Sequence, residues 1–333
     1  MLSIIIVNYR SSDLILPCIS SVKKFNPDLQ HEFIVVDNAS GDDSETRIRQ
    51  GFPDVQWVSM GFNSGFARAN NAGMRKASGS CFLLLNPDTL ATDNSIYRCY
   101  QRLSQSDYVG SGVQLLDPQG QPQISGNFFV KGGLNLLLPL PYWGSFIRWL
   151  GYRSGSKVPN IQKAKALEEV DWITGAFLMV RKSVTEKAGL MDEDFFLYAE
   201  EVEWCSRLRK QGRLCLYGDL QIIHLEGGSI NKEQNAASKG YYNLFDKKGL
   251  QLMVSNHLRV RKQYGVFWFL FLLLNYTWGL LLFWILSTFH RLLTLRNPFG
   301  DWKKVGAFAK NLLKLWMLSP RIVAGRPFFY KMF

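Results

Sequence analysis

Cys-x-x-Cys pairs and a glycine-rich nucleotide loop are missing from this sequence, and its first residues lead us to expect no leader peptide. Its cysteines are odd in number and scattered, with no Cys-x-x-Cys. Such a set argues against a disulfide framework or a zinc knuckle and fits a reducing compartment. We therefore expect all of them to be buried as small hydrophobic side chains. They are Cys18, Cys81, Cys99, Cys205 and Cys215.

The N-terminal sequence has no basic region or cleavage site around its first apolar run, Ser3–Val7. That run is predicted to be a buried strand, and the first domain is expected to remain in the cytoplasm. No Gly-x-Gly-x-x-Gly follows it, and no Gly-x-x-x-x-Gly-Lys-Ser/Thr occurs. These absences count against a dinucleotide dehydrogenase and a P-loop nucleotidase. A sheet that binds a nucleotide by other means remains open.

Acidic residues are in deficit, with 27 Asp and Glu against 39 Lys and Arg and a net charge of +12. This balance suits nucleic acid, anionic lipid or phosphorylated substrates without choosing among them. The hydrophobic fraction of 47% fits a globular protein. The 333 residues suffice for one large domain with an appendage, or for two domains.

Short apolar runs alternate with amphipathic stretches from Ser3 to about Leu116. Buried aliphatic strands separated by such helices predict an α/β, doubly wound, mostly parallel sheet covered on both faces. Ligands of these sheets bind beyond the carboxyl ends of the strands. The predicted strands are Ile4–Val7, Phe33–Val36, Val55–Val58, Phe82–Leu85 and Val109–Leu115, and the helices include Ser12–Lys24 and Phe66–Ala77.

Glycines and prolines between Pro118 and about Glu169 predict irregular structure. The aromatic and leucine cluster at Leu134–Leu150 fits a mobile lid, a membrane-contacting loop or plain packing. Regular structure is predicted to return with a strand at Val170–Val180, a helix at about Glu200–Gln211 and a strand pair within Leu214–Leu225.

Two carboxylates directly follow predicted strands. Asp37 lies in Val-Val-Asp-Asn and could accept hydrogen bonds from a ribose or a base edge. Asp88 lies in Asn-Pro-Asp and could hold Mg²⁺ or Mn²⁺, which would neutralise a diphosphate. A helix-capping turn for the first and an ordinary turn for the second are the structural alternatives.

Three other stretches suggest a ligand site. Gly65 begins a predicted helix whose free backbone amides could face a phosphate, although a plain capped helix fits too. Aromatics interleave with the acids of Asp192–Glu203, where desolvation could produce a general base; acids also favour helix N-termini. His224 follows a strand beside two glycines, which makes a metal or diphosphate role credible, although a lone histidine is usually structural.

Taken in order, these pieces resemble glycosyltransferase family 2, and particularly its bacterial rhamnosyltransferase-like branch. The resemblance implies a GT-A fold, inversion at the anomeric carbon and a divalent metal, Mg²⁺ or Mn²⁺. It spans roughly residues 1–230 in the stretches Ser3–Tyr9, Val35–Ser40, Asn63–Gly73, Asn86–Asp88, Trp172–Gly175, Asp192–Gly212 and His224–Ser229.

The resemblance also implies a role for each matching residue. Asp88 and His224 would hold the metal, and Glu201 would be the general base for the acceptor hydroxyl. Asn86 stands where the family often has the first acid of Asp-x-Asp, and Glu200-Glu201 replaces the common Glu-Asp, so Glu200 is a rival base. The nucleotide sugar would be bound by Asn8, Tyr9, Asp37, Asn38, Asn63 and Asn86, with Trp172 and Gly175 bordering the donor sugar and the acceptor.

The implied function is transfer of a sugar, expected to be rhamnose from dTDP-rhamnose, to a lipid-linked saccharide in surface polysaccharide or O-antigen synthesis. The expected place is the cytoplasmic face of the bacterial inner membrane, with no nucleic acid partner. Another donor such as a UDP-sugar remains an alternative. A nucleotidyltransferase would need a basic glycine-rich loop where Tyr9-Arg10-Ser11-Ser12 stands. A non-catalytic membrane scaffold would not need the acids Asp37, Asp88 and Glu201.

The stretch Val266–Phe289 is almost wholly apolar and exceeds the ~20 residues that cross a bilayer. The basic sequence after it favours the cytoplasmic side, which a single crossing from a cytoplasmic domain would forbid. We therefore predict a same-face hairpin or interfacial segment bent near Asn275–Gly279; a simple crossing and a buried core helix stay open. Headgroup-level positions are predicted for Tyr276, Trp278 and Trp284, and an amphipathic tail for Trp302 and Trp316. The predicted domains are 1–250, of GT-A type, and 251–333, helical and membrane-associated.

Overall fold

The computed structural model describes residues 1–153, 161–225 and 244–333. Their backbone forms two compact units, each discontinuous in sequence. Among the described residues, unit 1 contains 1–128, 161–196 and 200–225, and unit 2 contains 129–153, 197–199 and 244–333. The domain boundary at residue 250 stays a prediction.

Regular elements are numbered here in chain order. The strands are β1 (Leu2–Asn8), β2 (His31–Asp37), β3 (Gln56–Ser59), β4 (Cys81–Leu85), β5 (Thr89–Leu90), β6 (Gly110–Leu116), β7 (Gly126–Asn127), β8 (Glu168–Val170), β9 (Trp172–Ile173), β10 (Phe177–Arg181) and β11 (Leu214–His224). The helices are α1 (Ser12–Phe25), α2 (Ser44–Gly51), α3 (Gly65–Lys76), α4 (Ser95–Gln105), α5 (Trp143–Arg153), α6 (Lys182–Ala188), α7 (Glu200–Leu208), α8 (Lys247–Tyr264), α9 (Val266–Leu293) and α10 (Trp302–Ala324), with a 3₁₀ segment at Lys131–Leu137.

Unit 1 is built on one mixed sheet with helices on both faces. Its strand order is β3-β2-β1-β4-β10-β6-β11-β5, and β8 also pairs with β11. Strand β1 is parallel to β2 and β4, and β11 is parallel to β6. Strand β10 runs antiparallel to both of its neighbours, β4 and β6. The predicted α/β fold is confirmed, with one reversed strand in the middle of the sheet.

The consecutive isoleucines of β1 explain why both faces of this sheet are covered. Side chains alternate between the two faces of a strand. Ile4 and Ile6 therefore enter the core cluster that contains α1 and α4 side chains, whereas Ile5 enters the cluster that contains Trp204 of α7. All five cysteines are buried and unpaired, as predicted, and burial raises the pKa of four of their thiols to about 12.

Two strand predictions in unit 1 are wrong. The single strand predicted at Val170–Val180 is three short strands, because a turn closed by the Phe177 amide and the Thr174 carbonyl interrupts it. Strand β9 leaves the main sheet and pairs with β7 instead. The strand pair predicted within Leu214–Leu225 is one strand, β11, whose register against β6 shifts between Tyr217 and Gln221.

Unit 2 contains the 3₁₀ segment and helices α5, α8, α9 and α10. The irregular structure predicted from Pro118 is wrong over these first two elements. Gly132 and Gly133 have φ values of +68° and +72°, which glycine adopts without strain. A Cβ at Gly132 would overlap the Trp268 ring, so this close packing requires glycine.

Helix α9 is one continuous helix of 28 residues and is long and apolar enough to cross a membrane. The bend predicted near Asn275–Gly279 is therefore wrong. The headgroup position predicted for Tyr276 is wrong too, because this residue is buried and its hydroxyl donates to the Leu136 carbonyl at 3.0 Å. The amphipathic tail predicted around Trp302 and Trp316 is the helix α10.

Candidate active site

The polar residues predicted to form a site converge on one edge of the unit 1 sheet. Asn8 and Asp37 end the parallel strands β1 and β2, and Asn86 directly follows β4. His224 ends β11, which is parallel to β6. Both run in the direction of β4, because the strand between β4 and β6, β10, is antiparallel to each of them. The reversed strand β10 begins at this edge, where the Asn86 amide donates to the Ala176 carbonyl at 3.0 Å. Sheet topology thus brings together residues from across the whole unit.

Asn8 organises the first half of the site. Its side-chain nitrogen donates to Asp37 Oδ1 at 2.8 Å and to Ser40 Oγ at 3.0 Å. Its side-chain oxygen accepts from the Ser11 amide and hydroxyl, both at 3.1 Å. Asn8 is fully buried, whereas Asp37 is half-buried. The asparagine therefore aims the Asp37 carboxylate, which remains accessible to a ligand.

Asn38 links this half to the start of α3. Its side-chain nitrogen donates to Asn63 Oδ1 at 3.1 Å, and its oxygen accepts from the Ser64 amide at 2.8 Å. The next two amides are also engaged, Gly65 by Asn63 Oδ1 and Phe66 by the Phe196 carbonyl. The expectation that free amides here face a phosphate is therefore wrong for these three groups.

Asn71 and Arg75 of α3 connect this helix to the acidic stretch Asp192–Glu203 and to Met191, which precedes it. Asn71 donates from its side chain to the Met191 carbonyl at 2.8 Å and accepts from the Met191 amide at 3.0 Å. Arg75 and Asn71 both bind the carboxylate of Glu193. Asparagine is a poor helix former. Its presence at position 71 inside α3 is explained by these bonds, which anchor the segment that leads to α7.

Asp88 and His224 form the second half of the site. Both are buried, and Asp88 Oδ1 lies 3.4 Å from His224 Nε2. Gln123 grips the histidine twice: its Oε1 lies 2.9 Å from Nδ1, and its Nε2 donates to the His224 carbonyl at 3.0 Å. An amide oxygen can only accept, so His224 Nδ1 is the donor in this contact and Nε2 faces Asp88.

This pair fits a divalent cation. A carboxylate oxygen and an imidazole nitrogen lie 3.4 Å apart, and a glutamine fixes the imidazole, as outer-shell groups do at metal sites. No cluster of three or more metal-ligating side chains occurs in the described ranges. Two protein ligands suffice where a metal also binds water and substrate phosphates. Asn86 Nδ2 lies 3.4 Å from His224 Nε2, so the amide found here in place of an acid lies against the same pair.

The start of α7 supplies the candidate general base. Glu201 is half-buried, whereas its rival Glu200 is only 3% exposed. A Cβ on Gly175 would lie 3.8 Å from Glu201 Cβ and 3.1 Å from the Phe66 ring. The missing side chain at Gly175 thus leaves space beside Glu201, and Phe66 forms one wall of that space. This environment favours Glu201 over Glu200 as the group that meets an acceptor.

Other predicted residues lie at the same edge or near it. Tyr9 is half-buried, and the Arg10 guanidinium lies 5.6 Å from its ring centre. Trp172 is half-buried in β9, two residues before the turn that contains Gly175. The glycines and Ser229 that follow His224 in the family-like motif lie outside the described residues. Gln123 was missed, because no local motif marks it and only the fold brings it to His224. Phe66 and Ser40 lie within the family-like stretches but were not singled out as site residues.

Comparison with known proteins agrees with this geometry. Residues 3–125 match the family model described as Glycosyl transferase family 2. The chain is 30% identical over 219 residues to the "Low-salt glycan biosynthesis hexosyltransferase Agl10" of Haloferax volcanii, covering 63% of this chain and 62% of that protein. It is 26% identical over 216 residues to the "N-acetylglucosaminyl-diphospho-decaprenol L-rhamnosyltransferase" of Mycobacterium tuberculosis, covering 60% of this chain and 68% of that protein.

Among solved structures, the mannosyltransferase PcManGT of Pyrobaculum calidifontis, in complex with GDP-Man and Mn²⁺, aligns with a TM-score of 0.52. The alignment covers 96% of this chain and 86% of that one at 15% identity. At this identity the likeness establishes the fold, which is of the GT-A type. The chain spans 62% and 68% of the length of the two relatives above.

Proposed function

We propose that this chain, whose residues 3–125 match the Glycosyl transferase family 2 model, moves a sugar from a nucleotide donor to a lipid-linked saccharide with inversion. The observation that carries the proposal is the arrangement at one sheet edge. Asp37 is aimed by Asn8, Asp88 faces His224, and Glu201 borders the space left by Gly175. These groups match the three needs of the reaction, which are nucleotide binding, support of the diphosphate and proton removal.

The proposed chemistry is a single displacement. Glu201 accepts the proton of the acceptor hydroxyl while that oxygen forms a bond to the anomeric carbon of the donor. The bond from that carbon to the diphosphate oxygen breaks, and its electron pair leaves with the nucleoside diphosphate. Attack opposite to the leaving group inverts the anomeric centre. Glu201 needs no covalent bond to the sugar.

Asp88 and His224 would hold Mg²⁺ or Mn²⁺. When bound, the cation supplies positive charge to the leaving diphosphate. The chain's own contribution is to hold the His224 ring through Gln123 and to orient Nε2 toward Asp88. At the nucleotide end, Asn8 and Asn38 are both buried and bound within the protein, so they support Asp37 and Asn63.

For the substrates we propose dTDP-rhamnose as donor and a polyprenyl-diphosphate-linked amino sugar as acceptor, in surface polysaccharide or O-antigen synthesis. The support is the name of the mycobacterial relative, which specifies a rhamnose donor sugar and a decaprenol-linked acceptor. The haloarchaeal relative is named only as a hexosyltransferase. A UDP-sugar donor is therefore kept as the alternative.

Unit 2 is proposed to rest on the cytoplasmic surface of the bacterial inner membrane. Helix α9 buries a stripe along nearly its whole length, and α5, the 3₁₀ segment and α10 pack around it. A crossing would draw the lysines of α10 into the hydrocarbon, at a cost of about 2.5–3.5 kcal/mol for each. The opposite face of α9 is exposed and apolar, at Phe267, Leu270, Leu274, Trp278, Leu281 and Ile285.

An interfacial helix of this kind keeps both of its ends on one side. Helix α5 exposes Phe146, Trp149 and Leu150, which extend the apolar surface of unit 2. Basic residues accompany it, and each contributes about 1 kcal/mol near an anionic surface. In the sequence after Phe289 they are Arg291, Arg296, Lys303, Lys304, Lys310, Lys314, Arg321, Arg326 and Lys331. An acceptor held in the bilayer would thereby stay near the enzyme.

A donor screen tests the proposal. The purified full chain is mixed with Mn²⁺ and a panel of dTDP-, UDP- and GDP-sugars, with and without a polyprenyl-diphospho-N-acetylglucosamine acceptor, and released nucleoside diphosphate is measured. We expect acceptor-dependent release with dTDP-rhamnose and none with Glu201→Gln. If nucleoside diphosphate is released only from a UDP-sugar, the donor is that UDP-sugar and not dTDP-rhamnose. Failure to bind any nucleotide sugar would overturn the proposal, and pyrophosphate release from a nucleoside triphosphate would indicate a nucleotidyltransferase.

A further inference from the structure

The backbone directly before the candidate base has an unusual conformation. Leu197–Ala199 belongs to unit 2, although the chain on both sides belongs to unit 1. Tyr198 and Ala199 have φ values of +72° and +66°. Each such non-glycine residue costs on the order of 1–2 kcal/mol and persists only where surrounding contacts hold it. Glu200 and Glu201 begin α7 at the next position.

Ser255 of α8 provides one such contact. It is fully buried, and its Oγ donates to the Leu197 carbonyl at 2.7 Å. The hydroxyl in turn accepts from Gln251 Nε2 at 3.0 Å, one helical turn earlier. Because Gln251 supplies a donor, the Ser255 proton is directed to Leu197. The donor of this bond is fully buried, so water competes little for the Ser255 hydroxyl.

Gln251 extends this network to the segment after α10. Its side-chain nitrogen donates to the Tyr330 carbonyl at 2.9 Å, and its side-chain oxygen accepts from the Met332 amide at 2.9 Å. Gln251 is fully buried and Tyr330 is 1% exposed. Every bond lies inside unit 2. The glutamine thus connects the docking of residues 330–332 to Ser255 and, through it, to Leu197.

We infer that Ser255 and Gln251 are positioning residues for the sugar-transfer reaction, which fix the start of α7 through Leu197–Ala199. The inference rests on the proposed function, because it takes Glu201 as the base. A series of hydrogen bonds connects residues 330–332 through Gln251 and Ser255 to the Leu197 carbonyl. Two residues with positive φ, Tyr198 and Ala199, then lead directly to Glu200 and Glu201. Ser255 and Gln251 would therefore fix the backbone that leads directly into the base.

Polar side chains at these positions would be costly without a purpose of this kind. Around them α8 buries mainly aliphatic residues, among them Leu250, Met253 and Val254. A buried amide or hydroxyl needs every partner in place to offset its desolvation. Apolar residues would pack α8 equally well, but they would leave the Leu197 carbonyl without this donor.

The test compares Ser255→Ala with Ser319→Ala. Ser319 is a matched control, because it is buried in the same unit and its hydroxyl donates only to Leu315 of its own helix, at 2.8 Å. Amide hydrogen exchange is followed by mass spectrometry in peptides that cover residues 197–203. The kcat and the donor KM are measured with dTDP-rhamnose and the polyprenyl-diphospho-N-acetylglucosamine acceptor. Gln251→Met, which keeps the volume but not the hydrogen bonds, repeats the test should Ser255→Ala not fold.

We expect Ser255→Ala to accelerate exchange over residues 197–203 and to lower kcat at least tenfold with donor KM within twofold, because a small misplacement of a reacting group costs rate rather than donor binding. Ser319→Ala should change neither quantity. Equal exchange in the two variants, or faster exchange with unchanged kcat, would overturn the inference. Failure of the proposed function is distinguishable: the wild type would then transfer no sugar, while the exchange data would still report whether Ser255 holds the segment.

Discussion

At the scale of single residues, the two neighbouring glutamates of α7 can be told apart. Glu201 is half-buried beside Gly175, and Glu200 is almost wholly buried. Glu201→Gln keeps the shape of the side chain but cannot accept a proton, so kcat should fall about 10²–10⁴-fold. Binding of the donor, measured by titration calorimetry, should stay within twofold. Glu200→Gln is the matched variant; an inactive Glu200→Gln with an active Glu201→Gln would assign the base to Glu200.

A second residue-scale prediction concerns Gln123, which orients His224. Gln123→Leu removes both hydrogen bonds and frees the imidazole to rotate or to change tautomer. Mn²⁺ affinity should therefore fall about 10–100-fold, as for other outer-shell groups. The measurement is Mn²⁺ titration by electron paramagnetic resonance in the presence of the nucleoside diphosphate.

Gln123→Leu has two control variants, one expected to have no effect on Mn²⁺ affinity and one expected to abolish Mn²⁺ binding. Gln121→Leu changes an exposed side chain two residues earlier and should leave Mn²⁺ affinity unchanged. Asp88→Ala removes a proposed ligand and should abolish both Mn²⁺ binding and transfer. Normal turnover of Asp88→Ala, with or without a chelator, would remove this carboxylate from the site. Unchanged Mn²⁺ affinity in Gln123→Leu would mean that the glutamine has no part in holding the metal.

At the scale of elements, the start of α3 depends on Gly65. Its φ is +77°, and a Cβ there would overlap the Phe196 carbonyl oxygen. Gly65→Ala must therefore bear both backbone strain and a steric clash, and we expect a loss of roughly 1–3 kcal/mol in the free energy of unfolding. Gly61→Ala is the control, since no atom lies within 4 Å of that position. Urea denaturation followed by tryptophan fluorescence gives both values, and equal midpoints would contradict the prediction.

At the scale of the whole molecule, the exposed face of α9 should govern lipid binding. Trp278 and Ile285 on that face are 50% and 57% exposed, so changing both to serine removes apolar surface without touching the buried stripe. Co-sedimentation with vesicles containing anionic lipid should fall at least tenfold. Phe62→Ser is the control, because Phe62 is similarly exposed but lies in unit 1. Undiminished co-sedimentation of the double variant would show that another surface binds the lipid.

The same-face placement makes a separate prediction about topology. If α9 lies in the interface, a reporter fused after Phe333 remains in the cytoplasm, since the basic sequence after α9 is not carried across. A green fluorescent protein fusion should therefore fluoresce, and an alkaline phosphatase fusion should be inactive. Alkaline phosphatase activity at that position would mean that α9 crosses the membrane and would overturn the interfacial placement.

Much of this protein was predictable because its signals are local. The apolar runs around Ile4 and Phe82 have no polar interruption, so they could be assigned as buried strands from a few neighbouring residues. Asp37 ends one such strand and Asp88 lies three residues after the end of another, and the direction of the strands brings them to one edge. The sequence alone therefore determined the α/β class, the order of the motifs and the edge of the sheet where they meet.

Tertiary structure decided what depends on distant partners. Strand β10 pairs antiparallel with both β4 and β6. No local pattern distinguishes a parallel from an antiparallel buried strand, so this direction could not be predicted from the sequence. Helix α9 is long and apolar enough to cross a membrane, yet only packing shows which side of it is covered. Gln123 meets His224, and Ser255 meets Leu197, only when far-separated segments fold together. Hydrophobic periodicity is a property of neighbours along the chain, whereas the geometry of a site is a property of neighbours in space.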